Sequence, residues 1–456
     1  MSPLESTSFA RESTVADIAA GEASCPVCSR DSRDEFVPLL SLADDLARLI
    51  RANAPDTKEF QAVCARCVRL FERAKENIIA EAAMQKDGSH VLSTPLRLDA
   101  DDRYTGKGVT IAFLDSGFYP HVDLTTPRNR ILAYRNMLDE DGDLSSLFQP
   151  DVASWHGMMT SVVAAGNGSL SNGFYRGIAS DADVVLVKLA RTGRITDRNI
   201  QDGLTWVLDN RDKYNIRIVN ISAGGDYEKS YLHDPLSQFV EECSTIGITV
   251  VCAVGNAGHL PNHPVVPPAS SPSAIAVGGL DDNNSINRAR RGMYRSSYGP
   301  TIDGLQKPEV IASSIWVPAP ILPNTPTAQQ AGLLSLLDRA PDEELHGLID
   351  DNPGIDPEID AVADREIHSI RQLITLKIRR EMVITQHYKY VDGTSFSAPI
   401  VSSVVAQMLE ANPKLTPSDI KRILITTAER LPQYEVDRQG WGVIDARRAV
   451  ELAIGK

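Results

Sequence analysis

The sequence predicts an α/β domain built on a mostly parallel sheet, preceded by a small helical unit with paired cysteines. Three observations carry this. Short apolar runs, "VTIAFLD", "DVVLVKL", "IRIVNIS", "ITVVCAVGN" and "SAIAVGG", recur along the chain and read as strands buried on both faces. Amphipathic stretches such as "TDRNIQDGLTWVLDNRDKY" and "DPLSQFVEECSTIG" fall between them. Strand alternating with helix implies a parallel sheet covered on both sides. The third observation is a change of character near residue 97, ahead of which the chain shows helical periodicity and two CxxC pairs.

Residues 1–97 form the first expected domain, regulatory or recruiting in role. "SLADDLARLIRANA" and "CVRLFERAKENIIAEAAM" place apolar residues at helical spacing. The N-terminus, "MSPLESTSFARESTVADIAAGEAS", has no apolar h-region, so a cytoplasmic location is expected. In that setting Cys25, Cys28, Cys64 and Cys67 read as one tetrathiolate zinc site, because each CxxC supplies two soft ligands from one tight turn. A redox pair or unconnected thiols are the alternatives. Cys243 and Cys252 lie in apolar runs and read as small core residues. The linker "DGSHVLSTPLRLDADDRYTG" is polar and reads as mobile.

The 456 residues leave room for a second, larger domain, residues 98–456. A hydrophobic content of 42% and a charged content of 23% are those of a soluble globular chain. The formal net charge of -14 argues against nucleic acid and against anionic membrane surfaces as partners. No apolar run is long enough to span a bilayer.

In parallel α/β folds reactive groups gather at the carboxyl ends of the strands. Asp115 ends "VTIAFLD", His156 opens the small-residue segment "HGMMTSVVAAGNG", Asn256 ends "VVCAVGN", and Ser395 stands in "GTSFSAPIV" ahead of a buried helix. Each has a plain structural reading: a turn former, a packed ring, an Asx turn, a helix cap. Together they supply an acid, an imidazole, an amide donor and a hydroxyl in one domain. That set suits nucleophilic acyl transfer.

These blocks resemble the subtilisin-like serine proteases, or subtilases. The likeness runs from about Thr105 to Ala453 through "IAFLDSG", "HGMMTSVVAA", "VNISAGG", "VVCAVGNAG" and "GTSFSAPIV", with "YGP", "KPEVIA" and "GWGVIDARRAVELA" as further landmarks. The resemblance implies that Asp115 orients His156, that His156 takes the proton of Ser395, and that Asn256 donates to the oxyanion. It also implies a substrate-pairing strand at Ser222, Ala223 and Gly224. Ala223 is smaller than the leucine usual in the family, which implies a roomier floor. Ser397 replaces the usual alanine and reads as a packing variant.

The resemblance further implies a calcium ligand at Asp123 in "PHVDL", although "GNGSLSNG" rearranges the loop that completes that site. "HGMM" stands for "HGTH" and "ASSIWV" for the usual "APG". A long insertion at about 313–386 opens Pro-rich and extended, continues as helices, and reads as a lid or partner-docking element. The arginines of "NRARRGMYRSS" read as a solvated loop or a self-cleavage site. The expectation is an intracellular serine endopeptidase acting on protein or peptide substrates. Its N-terminal domain or insertion would control access, as in a zymogen, or bind a regulatory protein. The alternative is a zinc-containing adaptor whose inactive protease fold binds peptides.

Overall fold

A computed structural model describes residues 25–28, 35–52, 60–82, 91–139, 144–149, 151–190, 194–225 and 227–456. Residues 1–24, read above for an export signal, lie outside the described residues. The chain divides into two units, residues 1–80 with 285–291, and residues 81–284 with 292–456.

In the first unit β1 (Phe36–Pro38) pairs antiparallel with β2 (Ala62–Cys64). Two helices follow the expected periodicity, α1 (Asp44–Ala52) and α2 (Ala65–Ala82). Helix α1 carries Asp44 and Asp45 in its first turn and Arg51 in its last, matching the helix dipole. Leu39, Leu46, Ile50, Val63 and Phe71 are buried in this unit. Within 285–291 the arginine tract is not simply solvated: Asn287 and Arg291 are buried, while Arg290 is exposed.

The second unit carries β3 (Thr110–Asp115), β4 (Ile131–Asn136), β5 (Asp183–Lys188), β6 (Ile216–Ile221), β7 (Thr249–Ala253), β8 (Ile275–Asp281), β9 (Gly292–Met293), β10 (Gly299–Pro300), β11 (Gln306–Lys307) and β12 (Val310–Ser313). The main sheet runs β12-β8-β7-β6-β3-β5-β4, all parallel, with β9 added antiparallel to β8. Helices α3 (Ser154–Ala165), α4 (Asp197–Tyr214), α5 (Pro235–Thr245), α6 (Pro326–Arg339), α7 (Ile367–Arg380), α8 (Thr394–Ala411) and α9 (Ala446–Ile454) follow in chain order.

Strand residues alternate between two cores. Ile111 and Phe113 of β3 face the core shared with α3, α8 and α9, whereas Ala112 and Leu114 face the core shared with α4 and α5. Cys243 and Cys252 lie in the second core, as small buried residues. This is the three-layer α/β arrangement, a mostly parallel sheet covered on both faces, that the sequence predicts. Helix α8 is buried without a break from Phe396 to Leu409, as a helix between a sheet and its neighbours must be.

Of the linker read as mobile, residues 87–90 lie outside the described residues, and residues 91–100 correct the reading, since all ten are buried in this unit. The Tyr175 hydroxyl donates to the Val91 carbonyl (3.1 Å), and Arg97 pairs with Asp282 (2.8 Å) with both side chains out of solvent. The insertion is a folded helical element with its own core, including Leu333, Leu337, Leu345, Ile370 and Ile374. A buried Lys377–Asp356 ion pair (2.7 Å) joins two of its segments. Its Pro-rich opening forms β13 (Val317–Pro320), which pairs antiparallel with the returning strand β14 (Tyr388–Val391).

Candidate active site

Asp115 closes β3 at the carboxyl edge of the sheet and is 1% exposed. Its Oδ1 lies 2.7 Å from His156 Nδ1 and also accepts the Ser116 N–H (2.7 Å). Its Oδ2 accepts the Thr160 hydroxyl (3.2 Å), one turn along α3 from His156. The carboxylate is thereby fixed on both oxygens. Burial disfavours the imidazolium of His156, but the Asp115 charge and hydrogen bond outweigh it, and the pKa rises above the ordinary 6.5. Trp155 packs edge-on against the imidazole (centroids 5.2 Å apart), and Phe396 lies on it at 5.8 Å. Met158 and Met159, the departure from "HGTH", are buried in the core.

Helix α8 brings Ser395 to the same place. Gly393, just before it, has φ +134°, a conformation that L side chains rarely adopt. Pro399 has no N–H to give the carbonyl four residues back. That carbonyl belongs to Ser395 and instead accepts the Ser222 hydroxyl (2.8 Å). The Ser395 hydroxyl in turn donates to the Ser222 carbonyl (3.3 Å). Two bonds thus join the serine to the strand end Ser222–Ala223–Gly224, and Asn220 supports Ser222 Oγ from below (3.0 Å).

Asn256 is held by the neighbouring threonine. Its Oδ1 accepts both the backbone N–H (2.9 Å) and the hydroxyl (3.0 Å) of Thr394. With the oxygen so engaged, the exposed amide nitrogen is the atom left to donate outward. No feature of the sequence had marked Thr394 for this task. A cleft of about 520 Å³ runs between Asp115, His156 and the strand Ser222 to Gly224, with Val152, Trp155, Arg194 and Ile195 on its other walls. Those four walls were also missed, because pocket linings come from loops whose approach only the fold decides.

The structure brings Cys25, Cys28, Cys64 and Cys67 together. All four are buried, and their sulfurs lie within 4.8 Å of one another. The Cys25–Cys67 and Cys28–Cys64 separations are 3.8 and 3.9 Å. A tetrahedron with Zn–S bonds of about 2.3 Å has edges of roughly 3.8 Å. The donor set and spacing fit zinc.

Asp123 does not fit calcium. Its Oδ2 accepts the Tyr388 hydroxyl (2.6 Å) and its Oδ1 faces the Leu170 N–H (3.4 Å), so hydrogen-bond donors occupy the positions a cation would need. His121 lies against it with Nδ1 accepting the Asp123 N–H (3.2 Å). Among the described residues, the four cysteines are the one cluster of three or more such side chains close enough to share a metal.

Comparison with known proteins agrees with this geometry. A sequence model of the subtilase family matches residues 106–442, well over half of the chain. Serine protease AprX of Bacillus subtilis is 30% identical over 355 residues, 76% of this chain and 67% of that protein. Minor extracellular protease Epr of Bacillus subtilis is 30% identical over 185 residues, 40% of this chain but 25% of that protein. Among solved structures, the Clostridium perfringens CspB protease superposes with a TM-score of 0.56 at 15% identity, covering 80% of this chain and 96% of that one. A Pseudoalteromonas arctica protease superposes with a TM-score of 0.53 at 22% identity, covering 82% and 97%. These two likenesses speak to the fold. With the family match they lead to one conclusion: the chain is a subtilisin-like serine endopeptidase and belongs to the subtilase family.

Proposed function

We propose that the protein cleaves peptide bonds through Asp115, His156 and Ser395, by way of an acyl-enzyme. The observation that carries this is the 2.7 Å bond from Asp115 to His156 Nδ1, made beside the turn that bears Ser395. With Nδ1–H committed to Asp115, His156 Nε2 is the basic nitrogen. Rotation about the Ser395 Cα–Cβ bond moves its hydroxyl from the Ser222 carbonyl to Nε2. Oγ then attacks the scissile carbonyl carbon while its proton passes to His156. Asn256 Nδ2 and the Ser395 N–H receive the oxyanion. His156 returns the proton to the leaving amine, and water repeats the sequence on the acyl-enzyme.

Ser222, Ala223 and Gly224 form the edge on which an extended peptide pairs. Protein or peptide substrates are implied by the family. The four cysteines hold one Zn²⁺ that cross-links two turns of the N-terminal unit and supplies structure rather than chemistry. None of the six cysteines is in a disulfide, which supports a reducing, cytoplasmic setting. No described helix is long and apolar enough to cross a membrane. The N-terminal unit or the insertion governs access to the cleft, directly or by binding a regulatory protein. The adaptor alternative has no comparable support.

An activity-based fluorophosphonate probe tests the reading, because it needs an activated hydroxyl. Covalent labelling that is lost in Ser395→Ala and kept in Ser397→Ala is expected. Labelling that persists in Ser395→Ala would overturn it.

A further inference from the structure

Ser397 is fully buried two residues beyond Ser395, in the first turn of α8. An alanine would fill this place without a polar atom to satisfy. The hydroxyl present here is instead densely bonded: it lies 3.1 Å from both the Ala312 and Ser313 carbonyls, and it pairs with the Ser314 hydroxyl. A hydroxyl has one proton to give. Ser397 therefore donates to the carbonyl pair and accepts from Ser314. One further bond joins the same two segments, from the Gly393 N–H to the Ser314 carbonyl (2.8 Å).

The turn bearing Ser395 is thus held from three sides. Asn256 holds it through Thr394, Ser222 holds it through Ser395 itself, and residues 312–314 hold it through Gly393 and Ser397. The third side differs in kind. Ser313 ends β12, β13 begins at Val317, and β14 ends at Val391, so the atoms bonded to Ser397 and Gly393 are the root of the ribbon that carries the insertion.

We infer that Ser397 is a positioning residue for the nucleophile, locking the first turn of α8 to the root of the inserted ribbon. This rests on the reading of Ser395 as nucleophile. The turn fixes two things at once: the direction of the Ser395 Oγ and the direction of its N–H toward the oxyanion. Neither substrate pairing at Ser222–Gly224 nor the Asp115–His156 bond involves Ser397. Its removal therefore slows chemistry and leaves binding alone. Misplacement of a reacting group by about 1 Å costs on the order of a hundredfold.

The test compares wild type, Ser397→Ala, Ser314→Ala and the double variant as full chains on a peptide substrate. Rates are normalised to active sites titrated with a fluorophosphonate. The expected result is a fall of roughly tenfold to a hundredfold in kcat per titrated site in Ser397→Ala, with KM within about twofold. Ser314→Ala shows a smaller fall, and the double variant is no slower than Ser397→Ala, because both act through one network. A role in stability alone would lower the titrated fraction and leave kcat per site unchanged, and that outcome overturns the inference. So does a change confined to KM. Ser395→Ala runs alongside: if it still labels and turns over, the nucleophile assignment fails, whereas if it is dead and Ser397→Ala matches wild type, only the positioning role fails.

Discussion

Tyr388→Phe removes one oxygen from a buried pair and asks whether the second unit depends on a cation. The hydroxyl donates to Asp123 Oδ2 at 2.6 Å, and Tyr388 and Asp123 are 1% and 0% exposed. A hydrogen bond to a charged group contributes about 1.5–3 kcal/mol. The upper half of that range applies, because phenylalanine leaves the oxygen buried with no replacement donor. A unit of this size melts with an entropy on the order of 0.8 kcal/mol/K, so Tm falls by roughly 3–4 °C. The measurement is a thermal melt at fixed scan rate, in a Ser395→Ala background so that self-digestion does not contribute. In the same background added calcium leaves the Tm of the second unit where it is. Calcium at a hundredfold above its Kd would instead add about 2.7 kcal/mol. A calcium-dependent rise in the wild type, or a Tyr388→Phe melt identical to wild type, refutes the reasoning that a tyrosine proton stands where the family places a cation.

Four other outcomes follow from the structure. Because the His156 pKa is raised by Asp115, the imidazolium persists to higher pH, and kcat/KM should rise with pH through a midpoint above the ordinary 6.5. Asp115→Asn lowers kcat by about 10⁴ while KM stays close to wild type, a magnitude known from the Ser-His-Asp triad in general; a pH profile with its midpoint below 6.5 contradicts the assigned pair. Asn256→Ala lowers kcat by about 10²–10³, the cost measured in subtilisin itself, and a change in KM alone would show the amide to be a binding group. Purified protein carries about one zinc per chain by elemental analysis, and Cys→Ser at any of the four positions lowers that content together with protease resistance of the N-terminal unit; metal-free protein with unchanged resistance shows four thiols and nothing more.

The strands that lead to Asp115 and Asn256 could be read from the sequence because both faces of β3 and β7 are buried, leaving unbroken apolar runs. Strand β4 escaped because it lies at the sheet edge, where Leu132 is exposed and Arg135 breaks the run. Strand β12 is four residues long and is defined by its partner β8 rather than by its own pattern. The four cysteines announced themselves by spacing. Thr394 did not, since a threonine beside a serine at a helix start looks like a cap, and only the fold carries Asn256 to it across 138 residues of chain. The surroundings of Asp123 stayed hidden for the same reason: a motif shows which oxygen is present, but not that Tyr388, from 265 residues away, will reach it first.

The order of the site along the chain also sets when an active enzyme can first exist during synthesis. Asp115 and His156 emerge early, whereas Ser395 follows only after the insertion. At about 5–20 residues per second that interval lasts on the order of 10–50 s. Even then α8 lacks a covering partner, because Ala446, Ala449, Val450 and Ala453 of α9 complete the core around Val401, Val404 and Val405. Pairing of β12 with β8 and the closure of the β13–β14 ribbon are similarly late, non-local events. On the proposed assignment a ribosome-bound chain therefore carries the acid and the base for tens of seconds without a competent nucleophile, and the nascent polypeptide passes through its most digestible state before it can digest anything.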